Sequence, residues 1–239
     1  MSDSTANEAR IFLIPGMAAD ASVFAAQTAE LPGVVVVDWI EPLPRESLSD
    51  YAKRMAEHSA IPAGCLLGGA SFGGIVAMEM SRYVNPRGVV LIGSIADPKE
   101  LPRRIRLLRP LAPLIRLAPV RLCQAFVTAL NGVWLRRRNR RLSAIARQFC
   151  SASPQLLRWS LNAILRWREA PPVDCLVLRV HGDRDPLFPL SALAKRADAV
   201  QGGRVVRGGG HVISLSHPQE VNEFLLACLV QVSQCETDK

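Results

Sequence analysis

Short apolar runs alternate with segments of helical spacing along most of the chain. Arg10-Ile11-Phe12-Leu13-Ile14 reads as a buried strand stopped by Pro15-Gly16, and Asp20 is placed to cap a helix over 21–30. The β-branched run Val34-Val35-Val36-Val37 predicts a second strand ending at Asp38. Leu48, Tyr51, Ala52, Met55 and Ala56 share one face of a helix over 48–59. A strand over 64–70, a helix from 72 and a strand over 88–92 follow. After Asp97 the alternation stops, and it resumes with Cys175-Leu176-Val177-Leu178-Arg179-Val180. A helix over 190–199, a strand at 204–207 and a helix from 217 to about 232 complete the pattern. Strands that are apolar on both faces and alternate with helices predict an α/β fold, a mostly parallel sheet of about six strands flanked by helices.

Residues 98–170 contain no convincing strand and are expected to form a helical insertion. Three amphipathic faces are predicted in it. Leu101, Ile105, Leu108, Ala112 and Ile115 make the first, which Pro110 and Pro113 must break or kink. Leu135, Leu142, Ile145 and Phe149 make the second, and Leu157, Leu161, Ile164 and Leu165 the third. The expected division is therefore a core from 1–97 and 171–239 with an Arg-rich helical insertion at 98–170. The net charge of +8 conceals a polarity that follows this division. Within 98–170 stand 16 basic residues against two acids, a balance of +14, and the remainder carries −6. A segment so charged above an acidic core draws anions.

At 239 residues with 49% hydrophobic content, the chain suits one α/β domain with a sizeable core. Its first ten residues are polar, without a basic region leading into an apolar one, and no apolar run reaches the about 18–20 residues of a membrane span. A cytoplasmic protein is expected. The six cysteines show no C-x-x-C spacing, so buried free thiols are expected rather than disulfides or a metal site.

The chemistry centres on Gly68-Gly69-Ala70-Ser71-Phe72-Gly73-Gly74, between a predicted strand and a predicted helix. Glycines at 69 and 73 bracket Ser71 as G-x-S-x-G, the spacing of a nucleophile elbow. Neighbours without side chains let strand and helix pass closely, and the Phe72 amide falls at a helix start that welcomes negative charge. The same pattern also fits a glycine-rich turn with Ser71 as a helix cap. No phosphate-loop or dinucleotide glycine motif is present. A serine needs a base, and the base a carboxylate to hold its tautomer. Strand ends supply them in the order serine, acid, histidine: Ser71, then Asp183 or Asp185 (with Asp97 on a neighbouring strand end), then His211. A structural histidine is the plain alternative for His211. His217 is a weaker base candidate, and His181 and His58 read as structural. Trp134, Trp159 and Trp167 read as packing within the insertion.

With these pieces in view the chain resembles the α/β-hydrolase fold superfamily over nearly its full length. The matching stretches are IFLIPGM, GGASFGG, VVLIGS, HGDRDPLFP and GGGHVISLSHP. The resemblance implies that Asp185 is the acid, because Gly182 to Pro189 matches the family's G-x-x-D-x-x-x-P stretch, and that His211 is the base after its glycine turn. It implies that residues 98–170 cap the site, and that the oxyanion amides come from Met17 and Phe72. The usual His-Gly at the end of the first strand is Pro15-Gly16 here.

The expected function is a serine hydrolase that cleaves a carboxylic ester or thioester through an acyl-enzyme on Ser71, needing no metal or other cofactor. Acyl transfer, another bond class on the same residues, and a non-catalytic binding or membrane-surface protein of the same fold stay open. For the insertion, the expected partners are an anionic acyl substrate or an anionic membrane surface met peripherally. Nucleic acid fits least, since no recognised motif accompanies the charge.

Overall fold

The computed structural model describes residues 10–132 and 140–237. Its strands are β1 (Ile11–Ile14), β2 (Val34–Val36), β3 (Leu66–Ala70), β4 (Gly88–Ile92), β5 (Leu176–Gly182) and β6 (Gly202–Val206). They pair in the order β2–β1–β3–β4–β5–β6, every neighbour parallel. Parallel neighbours need crossovers, and helices supply them: α1 (Ala25–Glu30), α2 (Leu48–His58) and α3 (Phe72–Val84) in the first half.

Alternation along each strand divides the core. In β1, Phe12 and Ile14 join the cluster under α2 and α3, while Ile11 and Leu13 join the cluster on the opposite face. The second cluster includes Val221, Leu225 and Cys228 of the last helix, α10 (Pro218–Thr237). Gln27 Nε2 ties α1 to that helix by donating to Asn222 Oδ1 at 2.7 Å.

Between β4 and β5 lies the helical insertion: α4 (Arg103–Leu107), a 3-10 stretch Arg109–Leu117, α5 (Val120–Leu130), α6 (Arg140–Ser151) and α7 (Pro154–Arg166). No strand occurs in it among the described residues. Its root is pinned by a buried ion pair. Arg179 Nη2 of β5 donates to both oxygens of Glu100, at 2.9 and 2.7 Å. Glu100 also accepts from the Ala96 amide, and burial raises its pKa despite the guanidinium beside it. The insertion's far end is held by Trp159, whose Nε1 donates to Glu46 O, and Trp167, whose Nε1 donates to Glu79 Oε1. Both tryptophans are buried, as packing residues should be.

Several expectations need correction. Of the two outcomes open at Pro110 and Pro113, the first insertion helix is broken and not merely kinked. The prolines convert residues 109–117 to 3-10 geometry and turn Leu108 outward, half exposed. On α7 the inward face runs through Leu156, Leu157, Ser160 and Ala163, and Leu161 points to solvent. Leu135 and Trp134, and the side chains of Leu142 and Ile145, lie outside the described residues. The helix expected over 190–199 is α8 (Leu190–Leu193) followed by a 3-10 segment broken at Arg196. The strand expected at 204–207 begins two residues earlier, at Gly202. The five described cysteines are free thiols, but Cys123 is exposed rather than buried.

Candidate active site

The turn from β3 to α3 fixes Ser71 at φ +50°, ψ −119°, a conformation seldom held by a residue with a side chain. The surroundings compel it. A Cβ on Gly69 would stand 2.4 Å from the Gly73 carbonyl carbon, and one on Gly73 would stand 2.2 Å from the carbonyl oxygens of Ile14 and Pro15. Strand, helix and the end of β1 therefore meet at backbone distance, which only glycine permits. Ser71 N donates to Ile92 O at 3.0 Å, and Ser94 Oγ donates to Ser71 O at 2.6 Å, so the elbow is anchored to β4.

His211 comes from the loop between β6 and the short helix α9 (Ile213–Ser216). Two glycines let this loop press against the sheet. Gly93, at φ +55°, abuts the His211 carbonyl, and Gly182 abuts the backbone of Gly209 and Gly210. Asp183 steadies the loop by accepting from the Gly208 amide at 2.7 Å. The result is a continuous chain of contacts. His211 Nε2 lies 2.8 Å from Ser71 Oγ, and His211 Nδ1 lies 2.8 Å from Asp185 Oδ2.

Asp185 is buried, and burial alone would raise its pKa. Hydrogen bonds from His181, His211 and the Phe188 amide outweigh burial and hold the carboxyl well below the usual carboxylate range. Oδ1 accepts from the amides of Leu187 at 2.7 Å and Phe188 at 3.0 Å. An ionised carboxylate only accepts, so His211 carries its proton on Nδ1 and offers the Nε2 lone pair to the serine hydroxyl. The Phe188 ring meets the imidazole edge-on at 5.5 Å, covering it from one side.

Among the three acid candidates, Asp185 stands beside His211. Asp183 holds the loop as described. Asp97 caps the turn after β4, accepting from the Lys99 amide and pairing with Arg196 at 2.5 Å. His217 opens α10 and is bonded to Ser216 Oγ, away from the serine. His181, read as structural, has a closer tie to the site than the sequence suggested: its Nε2 sits 2.8 Å from Phe188 O and 3.2 Å from Asp185 Oδ2.

The two expected amides lie at the elbow and in the turn after β1. Phe72 is the first residue of α3, where helix amides lack intrahelical acceptors. Met17 lies in a turn closed by Ala19 N donating to Gly16 O at 3.1 Å, which leaves the Met17 amide outside that bond. A Cβ built on Gly16 would stand 3.6 Å from the Ser71 Cβ, so this turn adjoins the serine side chain. One wall is aromatic: Trp39 stacks on Phe72 at 5.7 Å, and Trp159 meets Phe72 edge-on at 5.8 Å. Neither contact is visible in spacing, because the partners lie on three distant elements. A cavity of about 880 Å³, lined in part by Trp159, opens between residues 42–49 and α7. Ser71, Asp185 and His211 do not line it. Among the described residues, no group of three or more His, Cys, Asp or Glu gathers as a metal site.

Sheet order, elbow and insertion together define an α/β-hydrolase fold. The sequence matches the Alpha/beta hydrolase family over residues 11–224, and the chain belongs to that family. No curated protein matches it in sequence. Among solved structures it is similar to a thermophilic esterase from Thermogutta terrifontis, with 19% identity and a TM-score of 0.70 over 93% of this chain and 90% of that one. It is also similar to an enol-lactonase from Burkholderia xenovorans LB400, with 18% identity and a TM-score of 0.72 over 95% and 94% of the two chains. A bromoperoxidase from Bacillus anthracis aligns at 16% identity and a TM-score of 0.64, over 92% and 91%. At these identities the likeness is one of fold.

Proposed function

We propose that the protein hydrolyses a carboxylic ester or thioester through an acyl-enzyme on Ser71. The observation that carries this reading is the unbroken sequence Ser71 Oγ to His211 to Asp185, at 2.8 Å in both steps. His211 Nε2 takes the hydroxyl proton as Oγ bonds to the acyl carbon. The tetrahedral oxyanion is received by the Met17 and Phe72 amides. Collapse breaks the bond to the leaving alcohol or thiol, which departs with the proton from His211. Water then attacks the acyl-enzyme, giving up a proton to Nε2, and the carboxylic acid and the free serine are released. Asp185 stays ionised throughout and stabilises the imidazolium. The esterase and lactonase names of the similar structures accord with an ester-type bond. The basic insertion favours acyl substrates carrying negative charge.

A fluorophosphonate probe tests the nucleophile, and a kcat/KM panel of acyl esters and thioesters tests the bond. Wild type is expected to be labelled at Ser71 and to turn over at least one class. Ser71→Ala should lose both, with a rate loss on the order of 10³–10⁶. A folded protein that neither reacts with the probe nor turns over any ester would make the chain a binder of this fold, and acyl transfer to an alcohol without hydrolysis would replace water as the acceptor.

A further inference from the structure

Eighteen large hydrophobic side chains are exposed among the described residues, and eight of them fall between positions 107 and 130. Leu107, Leu117, Leu122 and Phe126 are each at least 70% exposed. Isolated exposed leucines are ordinary, but such a concentration marks a face with a partner.

Helix α5 shows how deliberate the orientation is. Its polar Gln124 is buried and donates at 2.8 Å to the carbonyls of Phe149 and Ala152. Leu122, Phe126 and Leu130, spaced by four, form a stripe on the exposed side. The polar residue is satisfied inward and the apolar stripe is left outward, the reverse of an ordinary surface helix. Arg103 and Arg121 are exposed in the same segment, within the insertion whose balance is +14.

The charge selects among occupants. A second copy would bring the same arginine-bearing face against itself, juxtaposing like charges. An anionic lipid surface satisfies both features at once, with leucines entering the acyl boundary and guanidinium groups held at phosphate level. The geometry suits lying on a bilayer and not crossing it. The two limbs, Arg109–Ile115 and Val120–Leu130, meet at 87°, and no single described helix is long and apolar enough to cross a membrane. The longer limb, of 11 residues, spans about 16 Å, roughly half the hydrocarbon thickness. We propose that residues 103–130 seat the protein on the surface of an anionic bilayer. Arg104 reaches from this face to donate to the Pro186 carbonyl, beside Asp185, so the seated face adjoins the site.

The binding does not rest on catalysis, and the full-length Ser71→Ala protein serves for its test. It is sedimented with vesicles of phosphatidylcholine alone, or with about 30% phosphatidylglycerol, at low and high salt. Anionic vesicles should pellet it at least about tenfold more strongly, with the advantage falling as salt rises. Leu117→Ser/Leu122→Ser/Phe126→Ser, at exposed positions and with circular dichroism as the check that the fold is kept, should weaken partition about tenfold or more. Arg103→Glu/Arg121→Glu should remove the salt-sensitive part. Equal pelleting with neutral vesicles, or a triple serine variant that binds like wild type, would overturn the proposal. So would a stable dimer in sedimentation equilibrium that the triple variant converts to monomer, since a second copy would then cover the face.

Discussion

His181 and His211 share one oxygen of Asp185. The Nε2 of His181 lies 3.2 Å from Oδ2, and the Nδ1 of His211 lies 2.8 Å from the same atom. His181 is buried, and its Nε2 proton is divided between that carboxylate and the Phe188 carbonyl, while its Nδ1 has no partner among the described residues. A buried imidazole with one orphaned nitrogen is costly to keep, and here it supports the loop that aims the carboxylate.

His181→Phe is therefore expected to lower kcat about tenfold with KM little changed, because the variant keeps an aromatic ring and loses the donor to Asp185. His181→Gln, which returns an N–H near the Nε2 position, should recover part of the loss. The pH signature follows from the depressed carboxyl. Asp185 contributes stability that is present above the unfolded carboxylate value, about 3.9, and is lost as the pH falls through its folded value. Removing one donor raises the folded value, so the variant's stability deficit should be largest near neutral pH and shrink in acid. Urea titrations across pH read this, and a deficit that does not change with pH would reduce His181 to a packing residue.

Gly73→Ala tests the close approach that exposes the serine. The added Cβ meets two carbonyl oxygens at 2.2 Å, both backbone atoms that cannot swing aside. A destabilisation of about 3 kcal/mol is expected, with a fall in kcat beyond any loss of folded protein as the Pro15-Gly16 turn is pushed away. Gly132, with nothing among the described residues within 4 Å of a built Cβ, is the control, and Gly132→Ala should stay within about 0.5 kcal/mol of wild type.

Much of this was legible before any coordinates. The runs at 11–14, 66–70 and 88–92 are apolar on both faces, and their neighbours punctuate them with Pro, Gly or Asp, so periodicity and turn chemistry agreed. Ser71, Asp185 and His211 each follow a strand, where the fold gathers reactive groups, and order along the chain sufficed to propose them. Asp185 is distinguished from Asp183, two residues apart, by the family resemblance alone, because spacing does not say which carboxylate turns inward. Where proline interrupts helical spacing, the pattern misled. The helical face through Leu108 breaks at Pro110 and Pro113, and residues 109–117 take 3-10 geometry, so Leu108 turns outward. Non-local polar pairs such as Glu100 with Arg179 left no mark in the sequence, since 79 positions separate them.

Glu79 offers a second pH test. It is buried on α3, and burial raises its pKa although Trp167 and Arg82 favour the ionised form. The fold thus holds the proton more tightly than the unfolded chain, and stability is lost as the pH climbs from about 4 towards the raised value. Glu79→Gln keeps an acceptor for Trp167 Nε1 and removes the charge. Its melting temperature should exceed that of wild type near neutral pH, with the difference vanishing at about pH 4. Loss of the half-exposed Arg82 contact should weigh little against this. A variant less stable than wild type at every pH would show that the ion pair dominates burial.

Ser71 and His211 meet across 140 positions of sequence. The elbow of β3 and α3 and the loop that carries the imidazole are therefore built from opposite halves of the chain. Under the proposed function the serine meets its base only where β6 lies beside β5 and the loop after it brings the imidazole to the hydroxyl. A polypeptide ending before β6 would carry the proposed nucleophile without the group proposed to activate it.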